Sequence, residues 1–249
     1  MAFFTAASKA DFQQQLKVAL AQHVDEKLLP QVGLFAEQFF GIVALPELTQ
    51  RRMTDLVGST LASWRLLERF DPSSPVVQVF NPDYEKHGWQ STHSVVEVLH
   101  PDMPFLVDSV RMELTRRGYA IHTLQNSVLQ VRRDGDGSLV ELLPKGSSGE
   151  GSGAESLIFV EIDRCASAAA LHELEQSLHG VLADVRLTVS DFPAMKAKAE
   201  EHHARLAMLQ PADHAQLAES MDFMRWLAED HFTFLGYEEF TVVEQGEGG

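Results

Sequence analysis

The segment His100-Pro101-Asp102-Met103-Pro104-Phe105-Leu106-Val107-Asp108-Ser109 joins a β-branched apolar run to a stretch with helical spacing, and it is where residue types best suit ligand chemistry. Proline fits the first helical position because its missing N–H is one of the donors that a helix start leaves unpaired. With Pro104 there, the N–H groups of Phe105, Leu106 and Val107 point into the turn and favour an anion, helped by the positive end of the helix dipole. A ligand carboxylate can take these donors, or Asp102 and the Met103 carbonyl region can satisfy them internally. The internal cap is the expected arrangement. The candidate effector-binding residues are Asp102, Met103, Pro104, Phe105, Leu106, Asp108 and Ser109.

Other chemistry is thinner. Glu200 and His203 have the i, i+3 spacing of carboxylate-bridged di-metal sites, which also need a second such helix pair. Glu97 and His100 repeat the spacing on an expected strand, where it places them on opposite faces. Glu200-Glu201-His202-His203 reads as a solvated helix face, and His172 with His179 carries no further signal. Cys165 has no second cysteine for zinc and reads as structural. No Gly-Lys pair exists to begin a P-loop, and Gly146, Gly149, Gly151 and Gly153 precede a strand, whereas a dinucleotide fingerprint follows one. No catalytic constellation, metal site or cofactor is expected within this chain.

Charge narrows the partners. The 36 acidic and 20 basic residues of this 249-residue chain give a formal charge of -16, which repels a nucleic-acid backbone. The pairs Arg51-Arg52 and Arg116-Arg117 lie in helical patterns and read as solvated faces. The single cysteine and the lack of a signal-like opening point to a cytoplasmic location. The longest apolar run, Phe39 to Leu45, is far below the ~18 residues of a membrane span, so a soluble protein without membrane contact is expected.

These residues need elements to hold them. Residues 1–70 have helical spacing, with Phe12, Leu16 and Leu20 four apart, Ser8 with Asp11 as a cap, and Met53 to Leu67 as a later stripe. Asp71 to Pro75 breaks the pattern. Strands are expected at 76–80, 94–99, 119–133, 139–143, 156–163 and 185–189, with helices at 104–117 and 167–182 and a hairpin turn at Asp134-Gly135-Asp136-Gly137. The order predicts an α+β, ferredoxin-like βαββαβ fold over residues 76–192, with an antiparallel sheet, two helices on one face and the other face open. Residues 145–155 are Gly/Ser-rich and acidic, and read as a mobile loop. Helices at 194–209 and 213–229 make 193–230 a second helical segment. Residues 231–249, with a strand-like run at 232–243, read as the truncated start of a next domain in a longer polypeptide.

At this point a family resemblance emerges. Asn81-Pro82, Gly88-Trp89, His93 to Val98 and Asp102 to Val110 resemble the amino-terminal region of the large bacterial NAD-specific glutamate dehydrogenases. Glu155-Ser156, Val160 to Asp163, Val181 to Val185, Asp191 to Met195 and His231 to Tyr237 follow in the same order, so the resemblance covers about residues 50 to 240. It implies an ACT-like domain that carries no catalytic residues and no cofactor. The NAD-using catalytic part, which interconverts glutamate and 2-oxoglutarate, would lie further along a cytoplasmic, homo-oligomeric parent. The implied partners are other domains and subunits of that enzyme, and an amino-acid effector. ACT domains commonly bind amino acids at the first strand-to-helix turn, in an Asp-x-Pro-Gly pattern. Here Asp102-Met103-Pro104-Phe105 puts a benzyl group where that glycine lets backbone and ligand approach. Two alternatives stand beside this reading: a stand-alone amino-acid sensor, and a metal-dependent enzyme using the histidine-rich helices.

Overall fold

A computed structural model describes residues 4–208 and 214–240. The chain forms two compact units, Met1–Leu182 and Ala183–Gly249.

The first unit opens with helices α1 (Lys9–Leu20), α2 (Leu29–Phe39), α3 (Leu45–Thr49) and α4 (Met53–Glu68). Ser8 caps α1 by accepting from the Asp11 N–H, and Phe12, Leu16 and Leu20 form its buried stripe, as their spacing predicts. Strand β1 (Val76–Phe80), the short helix α5 (Tyr84–His87), β2 (Ser94–Pro101), α6 (Leu106–Arg116), β3 (Ile121–Arg133), β4 (Leu139–Leu142), β5 (Ser152–Ile162) and α7 (Ala168–Ala207) follow. Asp134 makes the β3–β4 turn with its backbone and its carboxylate, which accepts from the N–H groups of Asp136 and Ser138.

All pairings in the sheet are antiparallel, in the order β1-β2-β5-β3-β4. β2, β5 and β3 hold the positions of the first, third and second ferredoxin-like strands. The fourth position, on the outer side of β2, is filled by β1, which enters from the amino-terminal side. The fold class is therefore ferredoxin-like, and the strand expected at 185–189 is corrected to helix. Two physical reasons account for this. Val185 continues the buried Leu174, Leu178, Leu182 stripe at helical period, and the edge where a last strand would pair is already occupied.

The open sheet face is also corrected. Side chains alternate along a strand. Val95 and Leu99 of β2 with Leu157 and Phe159 of β5 join one core with Phe35 and Phe39 of α2 and Trp64 and Leu67 of α4. The alternate residues Val96, Val98, Ile158, Val160 and Ile162 face the other way and are equally buried, beneath α6 and α7. The sheet is thus covered on both sides, by the amino-terminal helices on one and the two crossover helices on the other.

Part of the segment expected to be mobile is a strand. β5 begins at Ser152, and Gly153, Ala154 and Glu155 pair with Val131, Gln130 and Leu129. α6 begins at Leu106 and not at Pro104, because Phe105 takes a left-handed conformation that no helix residue can share.

In the second unit α7 runs on through Pro193 to Ala207, so the boundary expected at residue 192 falls inside a helix. α8 (His214–Trp226) ends in a π-helical turn, Leu227–His231. Residues 232–240 form no strand, and the rest of that expected run, Thr241 to Val243, lies outside the described residues, as do Pro211 and the residues 209–213 around it. No described helix is long and apolar enough to cross a membrane.

Candidate functional site

The β2–α6 turn is built by two constraints. Asp102, just after β2, donates its N–H to the Ala154 carbonyl at 2.8 Å, which ties the turn to the start of β5. Phe105 then sits at φ 72°, ψ -4°, the only non-glycine residue with positive φ among those described. These are the dihedrals of the third residue of a type II turn, and proline suits the position before it. α6 proper begins with Ser109 donating to the Phe105 carbonyl at 2.9 Å.

The turn places its candidate residues in different surroundings. Leu106 is buried in the core, while Asp102, Pro104 and Phe105 are exposed and Met103 is half-buried. Asp108 pairs with Arg111 on the outer face of α6. No side chain caps α6, and among the described residues no acceptor meets the N–H groups of Leu106, Val107 or Asp108. The expected internal cap by Asp102 is therefore absent. The unpaired donors are also shifted by one residue from those expected, because the helix starts later.

Ser109 leads from the turn to an open groove of about 670 Å³ against α7, lined also by Met112, Glu113, Thr115 and Val181. Glu113 is buried there and accepts from Arg116, Ser177 and Arg117. The Arg116 hydrogen bond first, then the Ser177 and Arg117 bonds, outweigh burial and hold its carboxyl down at about 2. Arg116 and Arg117 lie exposed, as their helical pattern led one to expect, and from that face both donate to this carboxylate.

A second polar cluster was not anticipated. Arg51, beside the start of α4, holds the buried Glu161 of β5 and donates to Thr123 of β3. Ser91 donates to the other Glu161 oxygen at 3.2 Å. Arg51 is thus not on a solvated face. The available signal was Glu161 itself, a carboxylate inside the apolar run Leu157 to Ile162 that needs a buried partner. Glu97, inside Val95 to Leu99, gave the same kind of signal, and its partner is Ser63 of α4.

The histidine-bearing helices show a different picture. Glu200 and His203 line a groove with Arg225 and Glu229, and His202 meets the Tyr237 hydroxyl at 2.9 Å. Among the described residues no group of three or more His, Cys, Asp or Glu side chains is arranged to hold a metal ion. Cys165 is buried, with its N–H on Ser94 Oγ at 2.7 Å.

Comparison with known proteins bears on this architecture directly. Residues 35–178 match the family described as glutamate dehydrogenase, ACT1 domain. The chain belongs to that family. The ACT1 match begins within α2 and ends within α7, so it takes in most of the helical layer as well as the sheet. Over 252 aligned positions the chain is 62% identical to the NAD-specific glutamate dehydrogenase of Pseudomonas aeruginosa, covering all of this chain and 15% of that protein. It is 46% identical over 242 positions to the enzyme of the same name from Halomonas elongata, covering 95% of this chain and 15% of that one. A similar protein from Mycobacterium tuberculosis is 28% identical over 151 positions. The chain therefore spans about 15% of the length of the first two relatives.

Proposed function

We propose that this ACT1 chain is the amino-terminal regulatory and assembly region of a large NAD-dependent glutamate dehydrogenase. Oxidation of L-glutamate to 2-oxoglutarate with NAD would be carried out elsewhere in the same polypeptide, in a cytoplasmic homo-oligomer. The observation that carries this is the 62% identity along the whole chain to 15% of an enzyme of that name.

The sheet edges bear on how such a region would pack. An edge strand offers unpaired N–H groups to a further strand. On β1 the Val79 N–H is taken by the Glu175 carboxylate at 3.3 Å, and on β4 the Leu142 N–H is taken by the Gln31 amide oxygen at 2.7 Å. Both edges are blunted by side chains. This favours assembly through helical faces over continuation of the sheet from subunit to subunit.

An effector site, on this reading, lies at Asp102, Met103, Pro104, Phe105, Leu106, Asp108 and Ser109, using the unpaired donors at the start of α6. Phe105, 44% exposed, is the residue of this turn that stands where the Asp-x-Pro-Gly pattern has glycine. The test is to delete residues 1–240 from the parent enzyme, then measure NAD reduction, sedimentation and the response to amino acids. Loss of assembly or effector response is expected. Unchanged sedimentation and response in the deletion would overturn the proposal, as would NAD-dependent glutamate oxidation by this chain alone.

A further inference from the structure

We propose that residues 232–240 are a docking strand, whose partner is an open β-sheet edge elsewhere in the parent polypeptide. The inference rests on the reading that this chain is part of a longer enzyme, and not on a regulatory role.

The segment has the composition of a strand and the surroundings of none. Phe232-Thr233-Phe234-Leu235-Gly236-Tyr237-Glu238-Glu239-Phe240 is rich in aromatic residues that suit a pleated surface, and its glycine disfavours a helix. The π-helical turn Leu227–His231 ends at Phe232, whose φ -139° and ψ 139° are those of an extended chain. Beyond it, among the described residues, no backbone N–H or carbonyl of residues 233–240 pairs with another backbone group.

Side chains alone hold the segment to the carboxy-terminal part of α7. The Phe234 and Phe192 ring centres are 6.3 Å apart, the Tyr237 hydroxyl meets His202 Nε2 at 2.9 Å, and Glu239 stands 3.9 Å from Arg205. Exposed contacts of this kind contribute little. They leave Leu235 72% and Phe240 82% exposed, with Phe232 also open to solvent. On α8 the stacked Phe223 and Trp226 are exposed as well. Large apolar side chains concentrated in this way mark an interaction surface.

Two observations choose the occupant. The first is the unpaired backbone. Covering these side chains with an apolar surface also takes the neighbouring N–H and carbonyl groups out of water, where they need partners. A sheet edge supplies both, through backbone hydrogen bonds and through pockets for alternate side chains. The second is length. The chain matches 15% of each of two relatives, so most of such a polypeptide lies outside it and can supply that edge. A second copy of this chain fits less well, because its edge strands β1 and β4 already have N–H groups taken by Glu175 and Gln31.

The test is amide hydrogen exchange read residue by residue, on the parent enzyme and on this chain by itself. In the parent, protected amides within residues 233–240 are expected to exchange at least about a hundredfold more slowly than in the isolated chain. A strand added to an edge points successive N–H groups to opposite sides, so of Leu235→Pro and Gly236→Pro in the parent one should lose this protection and the other keep it. The amides of β2 and β5 report whether each variant is folded. Equal exchange in parent and chain overturns the proposal. So does loss of protection in both folded variants, the result for a segment that docks as a helix, or full protection in both. Protection in the isolated chain that grows with its concentration names a second copy as the partner and also overturns it. If neither variant folds, the comparison of unaltered parent and chain still decides. These exchange rates are read whether or not the enzyme answers an effector, so failure of the regulatory reading and failure of this one are distinguishable.

Discussion

Ser63 of α4 donates its hydroxyl hydrogen to the carboxylate of Glu97, in the middle of β2 and out of contact with solvent. Burial pushes the Glu97 carboxyl up to about 7, and the Ser63 bond offsets this only in part. A carboxyl raised in the folded state binds its proton there while the unfolded chain, near 4.5, has lost it. Stability is therefore expected to fall as pH rises from about 4.5 to about 7 and to level off above that. The shift corresponds to at most about 3 kcal/mol. Glu97→Gln keeps the shape and should remove this slope in urea unfolding followed from pH 5 to pH 8. Parallel pH profiles for the two proteins would show that Glu97 does not titrate in this range.

Phe105 holds a left-handed backbone conformation that costs a residue with a Cβ roughly 1 to 2 kcal/mol. Its ring is too exposed to offset much of that. Phe105→Gly should then raise stability by about 1 kcal/mol, while Phe105→Ala, still strained and without the ring, should not. Chemical denaturation of both variants checks this. Amino-acid affinity should rise in both variants if the benzyl group is what closes the turn, and unchanged titrations would place the block elsewhere.

The ferredoxin-like core was legible because its elements carry local signals. Gly118 ends α6, the Asp134 to Gly137 turn joins β3 to β4, and β2 and β5 are apolar runs long enough to be buried on both faces. The misreadings have a common cause, which is that occupancy decided between two local options. Val185 to Val189 is β-branched enough for a strand, and the helical stripe that Val185 continues prevails because β1 already occupies the sheet edge. Gly153 to Glu155 looks like linker until Arg133 supplies a partner for Glu155. At the turn, Asp102 to Ser109 were identified correctly as the strand-to-helix junction, but sequence spacing could not reveal that Phe105 would accept a glycine's dihedrals. Arg51 and Glu161 lie 110 positions apart, a distance at which only the folded topology reveals a pair.

Gly58 lets α4 lie against the indole of Trp89. A Cβ there would stand 2.3 Å from Trp89 Cβ, an atom fixed to its backbone and unable to swing aside. Alanine has about 1 kcal/mol more helix propensity than glycine. The enforced separation of helix and tryptophan should exceed that gain, because overpacking a closed core costs ~1 to 3 kcal/mol, and more where backbone must move. Gly58→Ala is expected to lower the thermal midpoint and to increase exposure of Trp89 to a fluorescence quencher. A variant as stable as the original would mean that α4 and the indole separate at little cost.

Arg133 and Glu155 form a two-pronged pair between β3 and β5, with Nε–Oε1 at 2.6 Å and Nη2–Oε2 at 2.7 Å. Their side chains are 9% and 6% exposed, and the guanidinium also lies 5.4 Å from the centre of the Phe70 ring and donates to the Gly137 carbonyl. Removing one partner strands the other charge in the interior, a loss of about 3 to 5 kcal/mol. Arg133→Met and Glu155→Gln should each destabilise the chain, the first more because Gly137 and Phe70 also lose their contacts. The double variant Arg133→Met with Glu155→Leu should recover most of the loss, since an apolar pair of similar volume removes both desolvated charges together. A double-mutant cycle in urea measures the coupling. If the single losses simply add, the two side chains act independently, and the β3–β5 pairing at Glu155 stands on its backbone hydrogen bonds.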